Sequence, residues 1–123
     1  MEQTTLRNAW LADLRSGLHK QGFGFLHAID LHDNEIWCPL GRLCEITGCK
    51  WRYYKSLSQD KIKVKGVYGV EGYNGSAEYL TIPPRDIINK INYVEVTRLN
   101  DIVKLSFPEI ADWLEETWKN EAK

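Results

Sequence analysis

Three cysteines fall within residues 34–51, and their spacing decides what metal or covalent chemistry this stretch could support. Cys38, Cys44 and Cys49 follow the pattern C-x5-C-x4-C, whereas zinc sites usually contain C-x2–4-C pairs that clamp the ion from one turn. Cys38 precedes a predicted helix and Cys44 lies inside it, so their thiols are not expected to converge. We therefore predict no metal and no cofactor, with Cys44 serving as a small core residue.

Cys38 has a second interpretation, because a thiol at a helix N-terminus can have a lowered pKa and act as a nucleophile. A papain-like arrangement would add Gln21 as an oxyanion donor and one histidine as a base. The candidate histidines are His19, His27 and His32. Since nothing in the spacing selects among them, a cysteine-dependent enzyme that uses Cys38 is an alternative, and we favour a protein that is not an enzyme.

The segment 50–55 interleaves three cations with three aromatic residues. Aromatic rings stack on nucleobases and cations pair with phosphates, so this pattern suits a nucleotide-like ligand. The alternative is an amphipathic segment whose aromatic side chains belong to the core. The predicted ligand-binding residues are Arg15, Lys50, Trp51, Arg52, Tyr53, Tyr54, Tyr73 and Asn100.

Charge is unevenly distributed, although the net formal charge is only −1. Residues 50–65 are basic, and residues 109–121 are acidic. Two faces of opposite charge are therefore expected. The acidic face, which includes Glu115 and Glu116, and the aromatic segment support a second functional hypothesis, a protein-interaction module that inhibits another protein complex. A homodimer is also possible for a small domain with many aromatic residues.

No apolar run approaches the roughly 20 residues that a membrane-spanning helix needs. The first ten residues lack the hydrophobic region of a signal peptide, and the odd number of cysteines suits a reducing compartment. We therefore predict a cytoplasmic protein that has no membrane partner.

Hydrophobic periodicity predicts an α+β fold in which about four helices pack on a small, mostly antiparallel sheet of four or five strands. A single domain is expected to span residues 1–123. Helices are predicted at 4–22, 39–48, 85–92 and from residue 106 onward, and strands at 23–31, 36–38, 61–70 and 77–82. Residues 49–60 are ambiguous between helix and loop. Residues 93–101 are ambiguous between strand, which their β-branched content favours, and helix, which their context favours.

The first and last helices carry the clearest signals. Apolar residues recur at helical spacing in the first, and they are Leu6, Trp10, Leu11, Leu14 and Leu18. Ser106 and Glu109 form the sequence pattern of a capping box, and Pro108 suits the first turn. In the strand predicted at 61–70, Ile62 and Val64 are expected to face the core while the lysines face solvent.

Two blocks of sequence, 10–48 and 80–116, carry a recognisable set of motifs. They contain Leu-Arg-Ser-Gly at 14–17, Lys-Gln at 20–21, Trp-Cys-x-Leu-Gly-x-Leu-Cys at 37–44, Leu-Asn-Asp at 99–101 and Ser-Phe-x-Glu-Ile-Ala-Asp at 106–112. This combination resembles a broad group of small, uncharacterised accessory proteins of tailed phages and prophages. The middle of the chain, 50–78, departs from that pattern.

The resemblance implies a phage origin, the same fold as the group and a location inside the infected bacterial host. It carries no established chemistry. Small accessory phage proteins often disarm host defences by binding an effector protein or by sequestering a nucleotide messenger. Together with the aromatic and basic segment, the resemblance predicts a counter-defence protein that sequesters a nucleotide-like ligand.

Overall fold

This computed structural model describes residues 3–55, 64–71, 78–79 and 92–121. Groups of strands follow the first two helices along the chain, and the last described elements are helical. The α-helices are α1 (Gln3–Arg15), α2 (Pro39–Ile46), α3 (Tyr93–Arg98) and α4 (Phe107–Glu121), and a π-helical turn over Leu99–Val103 continues α3. The strands are β1 (Lys20–Gln21), β2 (His27–Asp30), β3 (Glu35–Trp37), β4 (Trp51–Lys55), β5 (Val64–Glu71) and β6 (Glu78–Tyr79).

The described strands form one sheet in the order β1-β3-β2-β5-β4, with β6 also paired to β5. The pairing of β1 with β3 is parallel, and the other pairings are antiparallel. The predicted α+β class, with helices on a small and mostly antiparallel sheet, is therefore confirmed. The predicted hairpin is also present, since β2 and β3 pair directly across the turn at 31–34.

Helix α1 packs its apolar stripe into the main core, where Leu6, Trp10 and Leu14 are buried. The helix ends at Arg15, and Gly17 follows with a φ of 72°, a left-handed conformation that terminates helices. The predicted extension of the apolar face to Leu18 is wrong, because this side chain is 80% exposed beyond the end of the helix.

The cysteine-rich stretch builds a wall of the core. Cys38 is the N-cap of α2, and Cys44 is fully buried on that helix, as predicted. Gly41 permits a close approach, since a Cβ atom at this position would lie 1.8 Å from the carbonyl oxygen of Leu26. The helix therefore packs directly on the backbone of the loop that leads into β2.

The structure decides two segments that the sequence left ambiguous. Residues 51–55 form strand β4, which is neither of the predicted alternatives, because their backbone pairs with β5 along the whole strand. Residues 93–101, which were ambiguous between strand and helix, are helical: the side chain of Asn92 caps α3, and burial of Val96 and Leu99 anchors this segment to the core. Tertiary contacts outweigh β-propensity in the second case.

Helix α4 begins as predicted. The backbone amide of Ser106 donates to Glu109 Oε1 at 2.9 Å, and the backbone amide of Glu109 donates to Ser106 Oγ at 3.3 Å. This reciprocal pair satisfies two amides at the start of the helix. The apolar stripe is buried at Phe107, Ile110, Ala111 and Leu114.

Several predictions fall on residues outside the described ranges. They concern most of the helix at 85–92, the turn that includes Tyr73, most of the strand at 77–82, and Ile62. Within the described ranges, no helix is long and apolar enough to cross a membrane.

Candidate functional site

A ladder of aromatic rings crosses four strands of the sheet. Trp37 on β3 stacks on His27 of β2 with ring centroids 3.5 Å apart, and His27 stacks on Tyr68 of β5 at 4.1 Å. Tyr53 on β4 continues the series, tilted against Tyr68 at 5.0 Å. At the other end, the Arg42 guanidinium lies 4.4 Å from the centre of the Trp37 ring.

Strand register creates this ladder. His27 pairs directly with Trp37 on one side and with Tyr68 on the other, and Tyr68 pairs with Tyr53. Side chains directly opposite on neighbouring strands lie close enough for their rings to pack. The ladder therefore becomes progressively more exposed, from the buried Trp37 and His27 to Tyr53, which is 47% exposed.

His27 is the most enclosed polar side chain of the ladder, with 3% exposure. Its Nε2 lies 2.6 Å from Glu35 Oε1, while its buried Nδ1 has no hydrogen-bond partner among the described residues. Burial lowers the pKa of His27, and the Glu35 carboxylate opposes that shift. Because a carboxylate only accepts, Nε2 must carry the proton of this hydrogen bond, and in a neutral ring the lone pair on Nδ1 then has no partner within the described part of the chain.

Strand β4 presents the outer part of the site. Trp51 and Tyr53 share one face because alternate strand residues point the same way. The Trp51 ring meets His27 edge-on at 5.0 Å, and its Nε1 donates to Glu45 Oε2 at 2.9 Å. Tyr53 lies over Gly66, where a Cβ atom would be 2.2 Å from the Tyr53 hydroxyl. One ring is thus anchored, and the other is half in solvent.

The predicted aromatic residues of β4 are therefore neither all sealed in the core nor all open. Tyr53 is exposed, and Trp51 is half-buried. Tyr54 is half-buried on the opposite face of the sheet, packed on the cluster of Ala28 and Val67. The structure thus separates the three rings that the sequence grouped together.

Cations flank these rings. Lys50, Arg52 and Lys55 are all exposed, and they lie within or directly before β4. Lys55 lies on the ladder face, two residues after Tyr53. Arg52 lies on the opposite face together with Tyr54. Exposed cationic residues therefore lie on both faces of the strand.

Arg15 does not join this group as an open cation, because α4 occupies its guanidinium. Its two Nη atoms lie 2.7 Å from Asp112 Oδ1 and 3.2 Å from Glu115 Oε1. Hydrogen bonds to Asp112 and then to Glu115 raise the pKa of Arg15. Arg15 links α1 to α4 and partly neutralises the acidic face of α4.

Asn100 has a structural task that differs from the predicted ligand contact. It is 1% exposed, and its Nδ2 donates to the Gly22 carbonyl at 3.0 Å and to Asp101 Oδ1 at 2.8 Å. Its Oδ1 accepts a 2.7 Å hydrogen bond from Gln21 Nε2. Because both ends of the amide are used, Asn100 ties the π-helical turn to the loop before β2.

A small cleft of about 10 Å³ lies beside Asn100, with Gly24, Cys38, Val96 and Asp101 among the lining residues. This volume holds about one water molecule. Sites for drug-sized ligands typically measure about 300–1,000 Å³. The cleft is therefore too small to hold a nucleotide.

The Cys38 thiol is buried and accepts a hydrogen bond from the Gly41 amide at 3.4 Å. Burial raises the pKa of Cys38 to about 12. A nucleophilic cysteine requires the opposite, a thiolate that is populated near neutral pH and open to substrate. The described residues also contain no group of three metal-binding side chains that could hold an ion.

Sequence reasoning missed the three inner rings of the ladder. Its rings, on Trp37, His27 and Tyr68, come from three strands, and only their register unites them. One signal was present, since the turn of the predicted hairpin places His27 opposite Trp37. Tyr68 offered no such signal, because its partner strand β4 was not recognised.

Comparisons with family models, curated proteins and solved structures found no match to this chain. The resemblance to phage accessory proteins stays a prediction from the sequence motifs, and the site is interpreted from its own geometry.

Proposed function

We propose that this chain is a non-enzymatic binding protein that holds a nucleotide-like ligand against strand β4. The observation that supports this proposal is the position of Tyr53, a ring 47% exposed at the outer end of a packed aromatic ladder and followed on the same face by Lys55. A nucleobase would stack on Tyr53, and the lysine side chains at positions 50 and 55 would pair with the phosphates.

The sizes of the individual contributions indicate how the binding free energy is divided between aromatic stacking and charge pairing. Stacking of one base on an aromatic side chain contributes about 1–3 kcal/mol, whereas micromolar affinity corresponds to roughly 8 kcal/mol. Contacts between the phosphates and Lys50 or Lys55 must therefore supply much of the remainder. Because these lysines are exposed, binding is expected to weaken as salt concentration rises.

The biological role that we propose is sequestration of a host immune signal by a phage-encoded protein. This part of the proposal is supported by the motif resemblance and by the chemistry of β4. A host protein as the ligand, bound through the acidic face of α4, is less favoured because Arg15 already pairs with Asp112 and Glu115. An enzyme that uses Cys38 is disfavoured by the burial and raised pKa of the thiol.

The test is a thermal-shift experiment on the purified chain with ADP-ribose and with a cyclic dinucleotide. At a hundredfold excess over Kd, a ligand that binds the folded state is expected to raise the Tm by about 10 °C. Tyr53→Ala should abolish most of the shift, whereas Tyr53→Phe keeps the ring and should retain it.

No shift with either nucleotide at concentrations far above micromolar, or an equal shift in Tyr53→Ala, would contradict the proposal. Pull-down from host lysate separates the alternative. A stoichiometric protein partner that is lost on charge reversal at Glu115 and Glu116, and kept in Tyr53→Ala, would favour the protein-binding hypothesis.

A further inference from the structure

His27 lies where the ladder meets both aromatic side chains on the ladder face of β4. Its ring touches Trp51 directly, and it supports Tyr68, on which Tyr53 rests. A change in the position of the His27 ring therefore affects Trp51 directly and Tyr53 through Tyr68.

The enclosure of His27 depends on a neutral imidazole. Nε2 is satisfied by Glu35, and the second ring nitrogen is buried without a partner among the described residues. A second proton would place an N–H on Nδ1 in this enclosed position. With respect to the described residues, Nδ1 is unpaired in either state, so what protonation adds is the burial of a positive charge, which disfavours the imidazolium.

Charged groups surround His27 from several elements, and they do not all act in the same direction. Glu35 on β3 and Glu45 at the end of α2 favour the protonated ring, whereas Arg42 on α2 opposes it. On β5, Tyr68 is an uncharged neighbour whose own pKa is raised by burial. Desolvation is the largest influence, and it lowers the pKa of His27.

Stacking of a cation between two rings offers limited compensation. Trp37 already has the Arg42 guanidinium over its ring at 4.4 Å, so an imidazolium stacked on the same ring would meet a like charge. A cation–π contact is weak compared with the cost of removing a charge from water, so it leaves most of the desolvation uncompensated.

We propose that His27 is a positioning residue that makes the β4 surface responsive to pH: neutral His27 holds Trp51 and Tyr53 in place, and protonated His27 releases them. This inference rests on the proposed function only for its effect on ligand affinity. The ordering of the two rings is a property of the unliganded protein and is tested separately.

The direction of the pH dependence follows from the lowered pKa of His27. Because the folded protein disfavours the imidazolium, the stabilisation is complete above the ordinary histidine pKa of about 6.5. It is lost as pH falls from that value toward the lowered pKa of the folded state. The packed ladder is therefore expected at neutral pH, and its loosening is expected in mild acid.

The first experiment uses the unliganded chain. NMR spectra are recorded from about pH 8 to pH 4.5, a range that covers histidine titration, and they follow the Trp51 indole N–H and the Tyr53 ring. Both signals should shift with the same midpoint as the His27 ring, below pH 6.5. His27→Phe keeps a flat ring without a titrating group, and both signals should then be insensitive to pH over this range.

The second experiment measures ADP-ribose affinity at about pH 7.5 and pH 5, on either side of the ordinary histidine pKa. The phosphates of this probe are diesters, so its charge is constant over the range. Wild-type affinity should fall about tenfold on acidification, which lies within the usual range of coupling between two sites. His27→Phe should lose at most about twofold in the same interval, a difference well under 1 kcal/mol.

His32→Gln is the matched control, because it removes a histidine of the exposed turn at 31–34 and should keep the wild-type pH profile. Trp51 and Tyr53 signals that ignore the His27 titration would overturn the inference, as would an unchanged pH dependence in His27→Phe. If ADP-ribose does not bind at neutral pH, the ligand proposal fails for this probe, and the NMR titration still decides the role of His27.

Discussion

Gly41 and Gly66 show how much one absent methyl group matters at two close contacts. A Cβ atom at Gly41 would lie 1.8 Å from the backbone oxygen of Leu26, whereas at Gly66 it would meet the outer end of the Tyr53 side chain. Backbone in a packed core cannot move aside easily, but an exposed side chain can rotate. The first glycine therefore maintains the fold, and the second leaves room for a ring of the site.

Gly41→Ala is expected to destabilise the protein by about 3 kcal/mol, the upper end of the range for overpacking, because α2 must move away from the loop before β2. Urea unfolding measures this loss. Gly66→Ala is the matched variant, with a smaller loss of stability and a displaced Tyr53 that binds the nucleotide probe less well. A Gly41→Ala protein as stable as wild type would contradict this description of the packing.

Helix α4 shows that a local pattern can define an element without help from the rest of the fold. Its first turn is satisfied by Ser106 and Glu109 alone. The hydrogen bond from the Ser106 backbone amide, followed by the interaction with the Ser106 side chain, lowers the pKa of the Glu109 carboxyl. The contribution of this carboxylate is therefore present above the ordinary glutamate pKa and is lost as pH falls through the lowered value.

Ser106→Ala should reduce the free energy of unfolding by about 1 kcal/mol and the Tm by about 3–5 °C, as expected for loss of an N-cap. Thermal unfolding followed by circular dichroism provides the measurement. Ser106→Asp supplies another good capping oxygen and should remain close to wild type. Equal destabilisation by both substitutions would show that the cap is not the cause.

At the scale of the whole molecule, ion pairs join α1 to two other helices. The pair with α2 is largely buried, and the pair with α4 is exposed. Asp13 receives Arg42 Nε and Nη2 at 2.9 and 2.7 Å, and both side chains are largely buried. Arg15 instead pairs with Asp112, whose side chain is 74% exposed. Burial decides the consequence of breaking a pair, because a buried charge that loses its partner cannot be solvated.

Asp13→Ala should therefore cost about 3 kcal/mol or more, since it strands the Arg42 guanidinium beside Trp37. Asp112→Ala removes an exposed partner and should cost at most about 1 kcal/mol. Chemical denaturation of the two variants under identical conditions compares them. If both substitutions had the same small effect, the Asp13–Arg42 pair would not be the support that its burial indicates.

The sequence by itself determined the parts of the fold that depend on neighbouring residues. Helical spacing identified α1, α2 and α4, turn residues identified the β2–β3 hairpin, and the capping box located the start of α4. These signals lie within a few residues of each other, so no distant contact is needed to interpret them. The candidate surface was found at 50–55 for the same reason, as a local run of rings and cations.

Only the tertiary structure decided what those rings do. Pairing with β5 makes residues 51–55 a strand, and its register sets Tyr53 beside Tyr68 and Tyr68 beside His27. The same packing pairs the side chains of Asn100 and Arg15 with other residues of the protein. Residues far apart in sequence meet through strand register and burial, and local periodicity carries no information about either.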